Sequence, residues 1–168
     1  ERCKLYSISR VKIPFSKNMD LKIEDFVKKA KSVDMIYLDS PNNPSGFQFS
    51  NKQLEKLIKS FSGPIIIDEA YGEFSNSSVL NLVKKYPNVI LVKTLSKAFG
   101  LAGLRIGYMI ADKKFTEIFS SVIQYPYPLN SLAIECGILA IEKAKQITSI
   151  FETIKKQRVR IIQNLKKY

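Results

Sequence analysis

Short apolar runs at Met35–Leu38, Ile65–Ile67, Val89–Val92 and Ile106–Ala111 alternate with longer segments whose apolar residues recur at helical spacing. This alternation is the strongest constraint on the fold, because a strand, a helix and a further strand in succession build a parallel sheet. Val89–Val92 is apolar throughout, as a strand covered on both faces must be. The expected class is therefore α/β, a mostly parallel sheet with helices on both faces. With 168 residues and 45% apolar content, the chain can enclose one well-buried core and is too short for two ordinary domains.

The helical segments carry their own signals. Ile23, Phe26, Val27 and Ala30 fall on one face of an early helix. Ser50 and Gln53 have the spacing of a capping box ahead of Leu54, Leu57, Ile58 and Phe61. Further helices are expected around Val79 to Tyr86 and through Phe115, Ile118, Phe119 and Val122. Beyond Pro128 the pattern is wholly helical, with Leu132, Cys136, Leu139 and Ala140 in one segment. Ile147, Ile150, Ile154, Ile161 and Leu165 form the stripe of a long final helix that packs against something.

Several function classes are disfavoured by what is missing. No run approaches the eighteen or so apolar residues of a membrane span, and the N-terminus lacks the basic-then-apolar order of an export leader. Cys3 and Cys136 match neither a CxxC pair nor a disulfide ladder, which fits a reducing, cytoplasmic setting. There is no histidine, so the commonest metal ligand and the usual base for a serine or cysteine nucleophile are both lacking, and no metal site is expected. The charge balance of 27 basic against 15 acidic residues, a net +12, attracts anions. Nucleic acid, phosphorylated small molecules and plain solvated lysines all satisfy that charge. Between Lys143 and Tyr168 eight basic residues accompany one acid, Glu152, but aromatics are not interleaved with them. The apolar stripe there favours a packed helix over a nucleic-acid arm.

Open α/β sheets place ligands beyond the carboxyl ends of their strands. Polar residues gather at three such ends: Asn43 past the first, Asp68 and Tyr71 at the second, and Thr94, Ser96 and Lys97 at the third. Asp68 follows three isoleucines, where a carboxylate without a cation or donor is costly. Taken singly, Asp68 also reads as a cap on the following turn, the hydroxyls as turn stabilisers and Arg105 as half of a surface ion pair. The glycines Gly46, Gly100 and Gly103 suit loops that bend close to a ligand and equally suit ordinary turns.

The segments Ser40-Pro41-Asn42-Asn43-Pro44-Ser45-Gly46, Asp68-Glu69-Ala70-Tyr71 and Thr94-Leu95-Ser96-Lys97-Ala98-Phe99-Gly100-Leu101-Ala102-Gly103-Leu104-Arg105-Ile106-Gly107-Tyr108 occur in this order. Together they resemble the fold-type-I aminotransferases, which use pyridoxal 5'-phosphate, and the resemblance spans essentially the whole chain. It implies that Lys97 forms the Schiff base with the cofactor aldehyde and later moves the proton. It implies that Asp68 pairs with the protonated ring nitrogen, whose charge draws in electrons as the substrate's α-proton leaves. Asn43 and Tyr71 are then donors to the ring's phenolic oxygen, and Arg105 with Thr94 and Ser96 grips the phosphate. Glu69 carries no assigned role.

Thr94 to Arg105, together with Pro126-Tyr127-Pro128-Leu129-Asn130, is similar to the histidinol-phosphate branch of that family. This implies transfer of an amino group between histidinol phosphate and 2-oxoglutarate. Threonine-phosphate decarboxylases and aromatic aminotransferases share much of the pattern, and a non-catalytic remnant of the fold is the alternative of another class. Such proteins also have an earlier segment with a stacking aromatic and a later small domain with a substrate-binding arginine. Since the chain starts at Glu1, it reads as a fragment, with residues 1–145 forming the centre of the cofactor domain and 146–168 a helix leading toward the small domain. The expected partners are a small amino donor and a 2-oxo acid, with a homodimer for the complete enzyme and neither nucleic acid nor membrane. The piece alone is expected to bind cofactor weakly and to transaminate little.

Overall fold

The computed structural model describes residues 2–166; residues 1, 167 and 168, at the outer edges of the two expected segments, lie outside the described residues. Helix α1 (Arg2–Leu5) precedes an irregular stretch and α2 (Ile23–Ala30). Then follow β1 (Ile36–Asp39), α3 (Asn51–Ser60), β2 (Ile65–Asp68), α4 (Leu80–Lys85), β3 (Val89–Thr94) and β4 (Gly107–Ile110). Helices α5 (Lys113–Ile118), α6 (Ser131–Glu142) and α7 (Ala144–Leu165) complete the chain.

Local chemistry accounts for the main boundaries. Helix α2 has Glu24 and Asp25 in its first turn and Lys28 and Lys29 in its last, the order that complements the helix dipole. The capping box of α3 is formed in full, Ser50 accepting from Gln53 N–H while Gln53 returns the bond to the Ser50 backbone. Asp112 and Asn130 cap α5 and α6 by accepting from Lys114 N–H and Ala133 N–H, without the reciprocal bond. The segment expected as one helix through Val122 divides, α5 passing into a π turn over Phe119–Ile123. The last helix starts at Ala144, three residues before its apolar stripe.

The sheet has the order β1-β2-β3-β4. The first three strands are parallel, in the register Ile36↔Ile65↔Val89 and Asp39↔Asp68↔Val92, and β4 runs antiparallel to β3. The parallel pairs are joined through α3 and α4, which carry the chain back along the sheet. Between β3 and β4 there is only a loop with one 3-10 turn, Ala102–Leu104, so the chain reverses instead of crossing over.

One face of the sheet presents Ile36, Leu38, Ile65, Ile67, Val89 and Leu91, which pack with Ile23 and Ala30 of α2, Leu54, Leu57 and Ile58 of α3, and Leu82 and Val83 of α4. Each buried isoleucine, leucine or valine side chain contributes about 1.5–3 kcal/mol by leaving water. Phe49 sits at the centre of this core, edge-on to Phe26 and Phe47 at 5.5 and 4.9 Å between ring centroids. Tyr37, Asp39, Ile66 and Asp68 alternate to the opposite face.

A smaller cluster, Leu95, Ile106 and Ala133 with Phe99, Leu101, Leu104 and Leu129, seats α6 against the β3–β4 loop. The approach is close at Gly137, where a Cβ would lie 3.0 Å from Ile106 Cδ1. Helix α7 is anchored through Phe151, which packs edge-on against Phe74 and Phe99. Its expected packing stripe is mostly exposed, at Ile150, Ile154, Ile161 and Leu165. The helix meets the body around Phe151, one position beyond Ile150, while much of the stripe runs past it.

Candidate functional site

Parallel pairing fixes the place of the site. Because β1, β2 and β3 run the same way in register, their carboxyl ends emerge side by side, and the loops beginning near residues 40, 69 and 95 share one edge of the sheet. The polar residues expected at the strand ends lie on these loops.

The first loop is braced by Asp39. Both its carboxylate oxygens accept from Asn42 Nδ2 at 2.9 Å, and Asn42 Oδ1 accepts from the Ser45 hydroxyl at 2.6 Å. Gly46 turns the chain at φ +70°, a region that disfavours other residues, and its N–H returns to Asn42 O. With the loop held this way, Asn43 Nδ2 donates to the Tyr71 hydroxyl at 3.1 Å, joining two loops across 28 residues of sequence.

On the second loop Asp68 finds the donors that its position demands. Oδ1 accepts from Ala70 N–H at 2.8 Å, the local turn cap, and Oδ2 accepts from the Tyr37 hydroxyl at 2.6 Å. Burial, then the hydrogen bond to Asp68 and the charges of Asp68 and Asp39, push the Tyr37 phenol well above its ordinary range. The adjacent Glu69 is fully buried. Its Oε1 accepts from Val79 N–H at 2.6 Å and its Oε2 from the Ser78 hydroxyl at 2.8 Å. Lys93 stands 3.6 Å from Glu69 and 2.8 Å from Glu73. Burial pulls the Lys93 ammonium down, but the hydrogen bond to Glu73 and the charges of both carboxylates outweigh it and leave its pKa raised.

On the third loop Lys97 is exposed, and its Nζ lies 5.6 Å from the centroid of the Tyr71 ring. Thr94 Oγ1 accepts from Ser96 N–H and donates to Ile106 O, and the two hydroxyls are 2.9 Å apart. Arg105 sits in the left-handed region at φ +57°, just after the 3-10 turn. Its guanidinium donates to Ala102 O at 3.3 Å, so this hydrogen bond does not join it to Thr94 or Ser96. Of the glycines, Gly46 and Gly100 have positive φ and Gly103 does not.

Tyr37, Asp39, Asn43, Asp68 and Tyr71 line a cavity of about 210 Å³ at this edge, and a second of about 450 Å³ opens beside it between Asn43, Tyr71, Phe74 and Arg158 of α7. The donor set suits a small, flat, anionic cofactor with one cationic ring nitrogen. A carboxylate is available for the nitrogen, an amide and a phenol for a ring oxygen and a lysine for an aldehyde, while Thr94, Ser96 and Arg105 carry groups suited to a phosphate but do not line these two cavities. Pyridoxal phosphate has that set of groups. Among the described residues, no group of three or more acidic or cysteine side chains is placed to hold a metal ion. Tyr37, Asp39 and Glu69 were missed as contributors from sequence. Glu69 lies inside a quoted motif but carried no assigned role, Asp39 adjoins one, and Tyr37 looked like an ordinary strand residue.

The aminotransferase class I and II family model matches residues 1–168. The histidinol-phosphate aminotransferase of Buchnera aphidicola is 37% identical over 98% of this chain and 48% of that protein. Among solved structures, the histidinol-phosphate aminotransferase from Clostridium acetobutylicum superposes with a TM-score of 0.90 at 29% identity, over 98% of this chain and 51% of its own. The enzyme of that name from Sinorhizobium meliloti, solved in complex with pyridoxal-5'-phosphate, gives 0.79 at 25% identity over 90% and 42%. The chain thus spans about half the length of the relatives it matches.

Proposed function

This chain belongs to the aminotransferase class I and II family, and from that premise we propose that the protein it represents moves an amino group between histidinol phosphate and 2-oxoglutarate, with pyridoxal phosphate as cofactor. The observation that carries the reading is the convergence of Lys97, Tyr71, Asn43 and Asp68 at the carboxyl ends of parallel strands. When bound, the cofactor supplies a cationic ring that takes up the electrons left as a substrate C–H bond breaks.

The chain's own residues prepare that step. Lys97 would be the amine that attaches the cofactor and the base that carries a proton to and from the substrate carbon. Asp68, an anion with two donors already in place, holds the ring nitrogen in its charged form. Asn43 and Tyr71, coupled to each other, would offer hydrogen bonds to the ring oxygen. Thr94 and Ser96 stand ready as hydroxyl ligands for the phosphate, and Arg105 joins them by leaving its bond to Ala102.

Residues 1–145 belong to the cofactor domain and 146–168 lead toward a small domain. The full-length protein works as a homodimer in the cytoplasm. The exposed apolar side chains of α6 and α7, such as Leu132, Ile138 and Ile161, are surface for such neighbours to cover. No described helix is long and apolar enough to cross a membrane.

Titration of the full-length protein with pyridoxal phosphate tests the assignment. A visible absorption band forms in the natural protein and is lost in Lys97→Ala; a band that survives that change refutes Lys97 as the point of attachment. Glutamate formation from 2-oxoglutarate with histidinol phosphate, set beside carbon dioxide release from threonine phosphate, separates the transferase from the decarboxylase.

A further inference from the structure

Asp68 is held by one donor that its own turn supplies and by one that it does not. The Ala70 N–H contact is a bond that any aspartate at a strand end can make. The Tyr37 hydroxyl comes from the neighbouring strand, 31 residues earlier. Asp39 and Asp68 are register partners, so Tyr37 stands two residues back on the same face and reaches Asp68 along the diagonal of the strand pair. Tyr37 is 58% exposed in this chain while Ile36 and Leu38 on either side are buried, so the aliphatic core does not hold its ring. Its hydroxyl is instead bonded to Asp68, and both residues line the cavity shared with Asn43 and Tyr71.

We infer that Tyr37 is a positioning residue for Asp68, donating to Oδ2 so that the carboxylate stays oriented toward a cationic heteroaromatic nitrogen. The inference rests on the aminotransferase reading and deepens it. A carboxylate fixed by a donor on each oxygen presents its remaining lone pairs in one direction, so that its charge faces the ring nitrogen it would hold. Asp68 on β2 and Asp39 on β1 are the charged groups acting on the phenol, and with burial they keep it protonated, and so a donor, throughout the neutral range. Tyr37 transfers no proton itself.

Two arms test this on the full-length protein. The first uses no cofactor. With tyrosine labelled at Cζ, the Tyr37 carbon resonance, identified by its loss in Tyr37→Phe, stays unshifted to about pH 11 in the natural protein. In Asp68→Asn it titrates at lower pH than in the natural protein, toward the ordinary tyrosine value of about 10, with burial and Asp39 still holding it above. Ordinary titration in the natural protein overturns the inference. The second arm measures pyridoxal phosphate binding to Tyr37→Phe, which keeps the ring and removes only the hydroxyl. Affinity falls about tenfold, the scale of one lost hydrogen bond to a charged group. The pH midpoint of the visible band moves up, because a less cationic ring leaves the attached nitrogen more basic. Natural affinity and an unmoved midpoint in Tyr37→Phe, beside a Lys97-dependent band in the natural protein, overturn this inference alone. Absence of a Lys97-dependent band in the natural protein overturns the aminotransferase reading and this inference together.

Discussion

Replacing Glu69 by alanine removes a fully buried carboxylate that ties three parts of the chain together. Val79 N–H and the Ser78 hydroxyl lose a charged acceptor at 2.6 and 2.8 Å, and Lys93 loses one of two carboxylate neighbours. A hydrogen bond to a charged group is worth about 1.5–3 kcal/mol. Stripping one partner from a buried pair costs about 3–5 kcal/mol. That second cost is not met in full, because Glu73 remains 2.8 Å from Lys93. The expected loss is about 3 kcal/mol, centred on the link between β2 and α4. Hydrogen–deuterium exchange of the full-length protein reads it locally. Peptides spanning residues 77–83 exchange about 100-fold faster, since each 1.4 kcal/mol is a factor of ten. Glu69→Gln keeps an acceptor for Val79 and gives a smaller effect. Exchange in Glu69→Ala within threefold of the natural protein would show that the buried carboxylate is not what holds α4 in place.

Three further variants have outcomes that the same structure determines. The hydrogen bond from Lys85, then that from the Tyr86 hydroxyl, hold the Glu55 carboxyl down at about 2, against its ordinary 4.5. A depressed carboxyl stabilises the fold above its ordinary pKa and loses that contribution as pH falls to the depressed one. Glu55→Gln therefore lowers the urea midpoint at pH 7, and its difference from the natural protein closes as pH falls from about 4.5 to about 2; a gap unchanged over that window refutes the ion-pair account. At Gly63 a Cβ would lie 2.6 Å from a Phe61 ring carbon and 2.7 Å from the Asp34 carbonyl oxygen. The ring can swing aside but the carbonyl is backbone, so Gly63→Ala costs about 1–3 kcal/mol. Gly103→Ala, with open space around it, stays within about 0.5 kcal/mol in the same denaturation assay.

Much of the fold was legible because its signals are local. Three isoleucines before Asp68, the Ser50–Gln53 box and the i, i+3, i+4 spacing from Ile23 each determine an element through residues adjacent in the chain. The π turn after Ile118 escaped notice, since its apolar spacing is also that of an ordinary helix. At the site, Asn43, Asp68, Tyr71 and Lys97 were legible as strand-end polar residues in a known order. Asp39 and Glu69 were not, because a strand-end carboxylate looks the same whether it braces a loop, caps a helix or meets a ligand.

By itself the sequence determined which segments are strands and helices, and which polar residues follow each strand, for both depend on near neighbours and on the repeat of two or 3.6 residues. Only the tertiary structure decided that Tyr37 meets Asp68, that Asn43 meets Tyr71 and that Glu69 reaches Val79. Those partners come together through the mutual register of strands and the packing of loops at one sheet edge. The whole core sets that register at once, and no local pattern encodes it.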